Sequence, residues 1–337
     1  MSPAVVAPAL DPALPTLERA LDPAAVTRAL AASKHFRDTP VEVLDARLRR
    51  HKPGKRAVLD YTLGVVRPGG GVETIPVIAK MRAGRPPRTA FQRAKAVWAH
   101  GFHCDSVDGI SVPEPLGTVP DLGVWLQRRV DGEPATARLT TGNGAALAGR
   151  IADAAVKLHR AGVPTERIYT AADELAILVR VLTPLTDTRP DLAAGIRTLL
   201  SLCARVTASL AGDGTGIHRD FYADQVIVDG ERIHLIDFDL YCHGPAALDV
   251  GNFAGHLAEQ AVREPAHADP LVSAEQGLED RYVHHAGASA RADVRAYAAL
   301  TLARHVYLST VVPGRGDTTG VVLGAALART KAVVDGR

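Results

Sequence analysis

Gly216-Ile217-His218-Arg219-Asp220-Phe221-Tyr222-Ala223-Asp224-Gln225, followed by Leu235-Ile236-Asp237-Phe238-Asp239, is the stretch that decides how this chain is read. It holds a carboxylate, Asp220, behind His218 and Arg219, then a carboxamide, Gln225, then a second carboxylate, Asp237. Between the last two, residues 226–228 and 233–236 flank Asp229-Gly230-Glu231, a turn sequence that closes a two-stranded hairpin. A hairpin folding back over Asp229-Gly230 brings Gln225 and Asp237 out at one end. An amide oxygen and a hard carboxylate oxygen so placed suit one small divalent cation.

Outward from this stretch the texture of the chain changes twice. Residues 1 to about 16 are rich in Ala and Pro and read as a loosely held arm. Helical segments are expected at 17–20 and 24–34, the second entered through Asp22-Pro23. Residues 41–50, 57–66 and 74–80 are β-rich, separated by Lys52-Pro53-Gly54-Lys55-Arg56 and Pro68-Gly69-Gly70-Gly71, and predict an antiparallel meander. A helix over 89–99 and strands around Gly117 and over 124–130 complete this part. After Asp131-Gly132-Glu133-Pro134 the pattern turns helical. Leu147, Ile151, Ala155 and Leu158 recur at helical spacing before a stop at Gly162, a second helix is expected over 191–210, and the chain reads as largely helical beyond Asn252. The expected fold class is α+β: an arm with helices over 1–40, a small antiparallel-sheet lobe over 41–130, and a larger helical lobe over 131–337 that carries the hairpin. The connector lies near 127–131, and a cleft between two lobes is a common place for a ligand.

Bulk composition bounds the rest. The 337 residues are 47% hydrophobic and 23% charged, as in soluble globular chains, and no apolar run reaches the length of a membrane helix. The start lacks the basic-then-apolar layout of a signal peptide. Cys104, Cys203 and Cys242 are widely spaced without a paired metal motif, which points to a reducing cytoplasm. A net charge of +2 gives no mandate for nucleic acid or membrane partners.

A His-Arg-Asp triplet, an amide five residues past that Asp, and an apolar run ending in Asp-Phe-Asp match the kinase pattern. In that pattern Asp220 receives the proton of an acceptor hydroxyl, Gln225 and Asp237 hold Mg²⁺, and His218 and Arg219 brace the loop. Lys80 ends Val77-Ile78-Ala79-Lys80, a strand of the kind that presents a lysine to the nonreacting phosphates of ATP. Lys52, Lys55 and Arg56 lie where a phosphate-covering loop would sit; the turn is not a G-x-G-x-x-G loop, and an exposed hairpin tip is the alternative.

The chain resembles the aminoglycoside phosphotransferase family, with its protein-kinase-like bilobal fold, over roughly residues 41–310. Gly244-Pro245-Ala246-Ala247-Leu248-Asp249-Val250-Gly251-Asn252-Phe253 is similar to that family's Gly-Asp-Pro-Ala-x-Asp-Leu-Ala element, and Leu158-His159 to its Leu-His at the end of a core helix. The resemblance implies that Asp249 is a structural acid steadying the catalytic loop. It also implies ATP between the lobes, its adenine bonded to connector backbone near Gln127–Val130, with Gln127 and Arg129 as nucleotide-binding candidates, and a phosphoryl group passed to a small-molecule hydroxyl. Three departures stand out. Gln225 replaces the usual Asn, as in the maltokinase-like and glucosamine-kinase-like branch; Asp239 replaces the Gly of Asp-Phe-Gly; and the helix over 89–99 has no Glu for Lys80, leaving Gln92 as the nearest polar candidate.

Blander readings stand beside these. Asp220 could cap a turn, His218 could satisfy a core hydrogen bond, and Lys80 could be a solvated strand-end lysine. Asp239 reads as structural, and Cys242 and His284-His285 have no partner motif. Two functions compete: a kinase of a sugar, amino sugar, cyclitol or sugar-containing antibiotic, and a pseudokinase that binds nucleotide without turnover. A protein kinase is disfavoured because no Ala-Pro-Glu segment follows Asp237. Residues 252–337 carry nine acidic and nine basic side chains, which leans towards a neutral or weakly charged acceptor unless Glu259, Glu264, Glu275, Glu279 and Asp280 converge.

Overall fold

A computed structural model describes residues 11–36, 40–66, 71–210 and 214–336. Residues 1–10 of the expected arm and 68–70 of the expected turn lie outside them. The chain divides into two compact units, Met1–Asp131 and Gly132–Arg337.

In the first unit, α1 (Pro23–Ala32) opens with Pro at its first turn, where no amide is needed, and the Asp22 carboxylate accepts the Ala24 N–H at 3.0 Å. There follow β1 (Val41–Lys52), β2 (Arg56–Val66), β3 (Val72–Arg82), α2 (Pro87–Ala99), β4 (Ile110–Ser111), β5 (Pro115–Val119) and β6 (Val124–Arg128). A five-stranded antiparallel sheet runs in the order β1-β2-β3-β6-β5. Register places Leu59, Ala79 and Leu126 in line across three strands, and all three enter a core shared with Leu17, Val26 and Leu30. Side chains alternate along a strand, so the adjacent line, Val58, Lys80 and Trp125, points to the opposite face. There Trp125 packs against Phe91 and Ala94 of α2. The segment from Asp11 is held rather than loose. Leu14 and Leu17 are buried in the core and the Thr16 hydroxyl donates to the Leu122 carbonyl at 2.8 Å. The apolar residues in that segment outweigh its Pro-rich composition.

The second unit contains β7 (Glu133–Pro134), α3 (Ala135–Arg138), α4 (Gly144–Arg160), α5 (Ala171–Leu182), α6 (Leu185–Thr188), α7 (Ala193–Ser209) and β8 (Gly214–Ile217). It continues with β9 (Val226–Asp229), β10 (Arg232–Leu235), β11 (Cys242–Pro245), α8 (Ala246–Arg263), α9 (Ala268–Ala286), α10 (Ala290–Val311) and α11 (Thr319–Val334). The β9–β10 hairpin pairs Val226 with Leu235 and Asp229 with Arg232, close to the expected bounds, and β8 pairs antiparallel with β11. Helix α8 begins at Ala246, ahead of the expected start, and is buried along most of its length. A Cβ on Gly251 would strike Tyr297 and the Val294 carbonyl, so the close approach of α8 and α10 depends on that glycine. Helix α5 was not anticipated, although Thr170 and Asp173 form a reciprocal capping box at its start. No helix among the described residues is long and apolar enough to cross a membrane.

Candidate active site

The loop from His218 to Gln225 leaves the end of β8 and is shaped by one buried acid. Asp249, in the first turn of α8, is fully inaccessible. Its Oδ2 accepts the His218 N–H at 2.8 Å and its Oδ1 accepts the Arg219 N–H at 2.7 Å. His159, near the end of α4, contributes Nε2 at 2.9 Å from Oδ2. Two backbone donors converging on one carboxylate turn the chain sharply, and Arg219 adopts a left-handed φ of 70°. Asp220 follows directly and is half-buried.

His218 is fully buried. Its Nε2 lies 2.9 Å from the Ile236 carbonyl, so Nε2 carries the proton, and Nδ1 has no hydrogen-bond partner among the described residues. The ring sits 4.9 Å from that of Phe238. On its other side Ile236 donates its N–H to the Gln225 carbonyl at 3.0 Å, extending the hairpin one pair beyond Val226 and Leu235. Ile236 thus ties the loop at His218 and at Gln225, and Asp237 is the next residue, left-handed at φ 64°. The structure brings His218, Asp220, Gln225, Asp237 and Asp249 into one loop–hairpin–helix assembly. Asp239 offers its carbonyl to Arg167 Nη1 at 2.8 Å. Sequence reasoning missed Ile236, whose contribution is entirely backbone, and Arg167, which carries no motif.

The remaining candidates lie in the first unit. Lys80 Nζ is 5.1 Å from the centroid of the Trp125 ring, its cross-strand partner, in cation–π geometry. Helix α2 carries no acid, and Gln92 is exposed. Gln127 is buried in β6, whereas the Arg129 side chain is exposed. The amides of Arg128 and Arg129 are committed to the Glu114 carbonyl at 2.8 Å and the Pro76 carbonyl at 2.9 Å. In the β1–β2 turn, Lys52 and Lys55 are exposed and Arg56 is half-buried. The Gly54 N–H is bonded to Asp11 Oδ2 at 3.0 Å, which also meets His51 Nε2 at 2.8 Å.

The five acids singled out after Asn252 do not converge as a free cluster; arginines pair with each of them. Glu259 bonds Arg263 and Arg315, Glu264 bonds Arg263, Glu275 bonds Arg329, and Glu279 bonds Arg291 and Arg295, with Asp280 also on Arg291. Beside the loop, the His256 ring stacks on Tyr222 at 4.6 Å and meets His305 edge-on at 4.4 Å. Burial, then the charges of Arg304, Arg315 and Arg263, pushes His305 down to about 3. His256 is pushed down likewise, by burial first and then by His305, Arg304 and Arg315.

An antiparallel-sheet unit followed by a helical unit with this loop, hairpin and buried acid defines the protein-kinase-like phosphotransferase fold. The chain belongs to the phosphotransferase enzyme family, APH, whose family model matches residues 88–287, and it is a small-molecule kinase. Among solved structures it is similar to a thermostable mutant of aminoglycoside phosphotransferase APH(4)-Ia in its apo form, with TM-score 0.61, 16% identity, and 91% of this chain and 98% of that chain covered. A choline/ethanolamine kinase family protein from Mesorhizobium loti has TM-score 0.54 and 15% identity, covering 92% of this chain and 97% of that one. Spectinomycin phosphotransferase APH(9)-Ia, in complex with ADP and spectinomycin, has TM-score 0.54 and 12% identity, covering 90% and 97%. A comparison with curated protein sequences found no match.

Proposed function

We propose that this kinase is an ATP- and Mg²⁺-dependent O-phosphotransferase acting on a hydroxyl of a sugar, amino sugar, cyclitol or sugar-containing antibiotic. The observation that carries the reading is the double tie of Ile236, which seats Gln225 and Asp237 at the mouth of the hairpin beside the Asp249-held loop of Asp220. Phosphoryl transfer asks little covalent chemistry of a protein; it asks for alignment and for charge neutralised where it develops. Asp220 is the base: as the acceptor oxygen bonds to the γ-phosphorus and the bond to the ADP oxygen breaks, the hydroxyl proton passes to its carboxylate. Asp249 and His218 hold the loop in place. Solved neighbours in complex with AMP-PNP or ADP support the nucleotide.

Gln225 and Asp237 are the residues that would hold Mg²⁺. Two protein oxygens suit this ion, which keeps waters and phosphate oxygens among its ligands. When bound, it would neutralise charge on the phosphates. Lys80 supplies a point charge to the nonreacting phosphates, and Trp125 supports it in place of an α2 acid. Lys52, Lys55 and Arg56 contribute through side chains, because the turn amide of Gly54 is bonded to Asp11. The adenine lies along the connector by Gln127 and Arg129. With the Arg128 and Arg129 amides used in the sheet, Val130 is the proposed donor.

Arginines paired to the acids after Asn252 favour a neutral or weakly charged acceptor over a polycation. Three free thiols are in keeping with a cytoplasmic location. A screen for ADP release against sugars, amino sugars, cyclitols, nucleosides and glycosylated antibiotics tests the function. Asp220→Asn is expected to cut turnover by at least about a hundredfold with nucleotide binding kept, the scale of general-base loss; unchanged turnover removes Asp220 from the mechanism. The acid-free α2 favours a second reading, a pseudokinase. ATP binding with no ADP release on any acceptor would establish it.

A further inference from the structure

Among the described residues, only Arg219 and Asp237 of the non-glycine residues have positive φ. Glycine would adopt the Arg219 conformation more easily, so what arginine adds there is its side chain. That side chain lies over a buried ring, with Cζ 3.9 Å from the centroid of Tyr169. The Tyr169 hydroxyl donates to Glu174 Oε2 at 2.7 Å, and the other oxygen of Glu174 accepts from Arg304 Nη1 at 2.8 Å. Arg304 Nη2 then donates to Asn252 Oδ1, where the Thr301 hydroxyl also bonds at 3.3 Å. Asn252 Nδ2 donates to the Phe221 carbonyl at 2.8 Å.

The path therefore starts on the residue before Asp220 and returns on the residue after it. Its members come from the start of α5, from α8 and from α10, which are otherwise remote from the loop in sequence. Tyr169, Glu174 and Asn252 are buried at 6%, 4% and 1% exposure, and Glu174 has both oxygens engaged. The hydrogen bonds from Tyr169 through Glu174, Arg304 and Asn252 to Phe221 run through a largely buried path, and such a path holds one geometry, since any partial opening leaves a polar group unpaired.

We propose that Glu174 and Arg219 are positioning residues of a clamp, Arg219–Tyr169–Glu174–Arg304–Asn252–Phe221, that sets the direction of Asp220 from both sides. The assignment rests on Asp220 being the base, as proposed above. The clamp is separate from the Asp249 bonds, which hold the amides of His218 and Arg219 and touch neither Phe221 nor the Arg219 guanidinium.

Its test uses the full chain and variants Arg219→Gly, Glu174→Gln, the double variant, and Arg219→Lys. The first readout needs no acceptor: hydrogen exchange of the peptide covering 218–222, corrected for intrinsic rates. Arg219→Gly and Glu174→Gln are each expected to raise exchange there at least about fivefold, with the 226–235 hairpin unchanged, as for a local opening. Arg219→Gly is expected to leave Tm within about 2 °C, because it relieves a left-handed residue while removing one half-buried side chain from the Tyr169 ring. On an acceptor found by the ADP-release screen, both single variants are expected to lower kcat about tenfold with the KM for ATP within about twofold. The double variant is expected to lose no more than the worse single, the mark of residues acting as a unit, and Arg219→Lys is expected to recover part of kcat through its cation over Tyr169. Unchanged exchange at 218–222, or exchange rising throughout the unit in step with a fall in Tm, overturns the clamp. Turnover losses that multiply in the double variant overturn it equally. Absence of turnover in the unaltered protein counts against the kinase reading and leaves the exchange measurement to decide the clamp.

Discussion

Replacing Asp249 puts the loop architecture to its most direct trial. The carboxylate is completely inaccessible and takes hydrogen bonds from the His218 and Arg219 amides, with His159 Nε2 as a third neighbour. A hydrogen bond to a charged group is worth about 1.5–3 kcal/mol, and a buried donor left unpaired forfeits its desolvation in full. Asp249→Ala strands two backbone amides, so the expected loss is about 4 kcal/mol. At roughly 2–4 °C per kcal/mol for a domain of this size, Tm should fall by roughly 10 °C. Asp249→Asn keeps one acceptor oxygen but turns an NH₂ towards a second donor, for an expected loss of about 2 kcal/mol. Urea unfolding read by circular dichroism gives both values, and turnover of Asp249→Asn should fall out of proportion to its stability, because Asp220 follows directly on the amides that Asp249 holds. Both variants within about 1 kcal/mol of the unaltered protein, with normal turnover, would refute the claim that this acid shapes the loop.

Acid is expected to destabilise the helical unit through His305, whose ring nitrogens have no hydrogen-bond partner among the described residues and which faces His256, Arg304, Arg315 and Arg263. Its folded pKa lies near 3 against about 6.5 unfolded, so the neutral form's stability is complete above about 6.5 and is lost as pH falls towards 3, about 2 kcal/mol of it by pH 5. His305→Leu should flatten the Tm profile between pH 7 and 5, and an unchanged slope counts against His305 as the source. Lys80→Met keeps the strand and the contact with Trp125 but removes the charge, and should raise the KM for ATP roughly tenfold or more with little change in Tm; normal nucleotide kinetics would mean another cation holds the phosphates. Gly216→Ala drives a Cβ into the hydroxyl of the buried Tyr241, which donates to the Val163 carbonyl at 3.0 Å. Such overpacking costs about 1–3 kcal/mol, and Tyr241→Phe in the same chain should restore part of it; a Tm unchanged by the glycine substitution defeats the steric argument.

Local signals carried much of the architecture. The Asp229-Gly230 turn, the Lys52-Pro53-Gly54-Lys55-Arg56 separator of the first two strands and the apolar repeat before Gly162 each express short-range chemistry, and each corresponds to an element of the structure. Strand alternation likewise puts Lys80 on the face opposite Ala79. What stayed hidden depends on partners far away in the chain. Nothing near Glu275 announces Arg329, and the Arg315 that joins Arg263 on Glu259 is likewise more than fifty residues distant. The same holds for Asp11 on the Gly54 amide, which makes a Pro- and Ala-rich segment part of the sheet unit. Helix α5 is different: its Thr170–Asp173 capping box is a local signal of its start.

The candidate site poses a sharper question of legibility, because its two halves are joined through Ile236, a residue whose side chain has no part in the joining. Its carbonyl takes His218 and its amide bonds Gln225. Any residue but proline offers those groups, so no side-chain motif can reveal them. What the sequence does preserve is their consequence, a count of residues. Gln225 and Asp237 emerge together only while Val226 faces Leu235, and a one-residue slip of β10 would turn Asp237 to the other side of the ribbon. The spacing between the two residues is thus a statement about backbone register. It persuades in a way that neither residue alone could, since either would be an unremarkable turn or strand-end polar group.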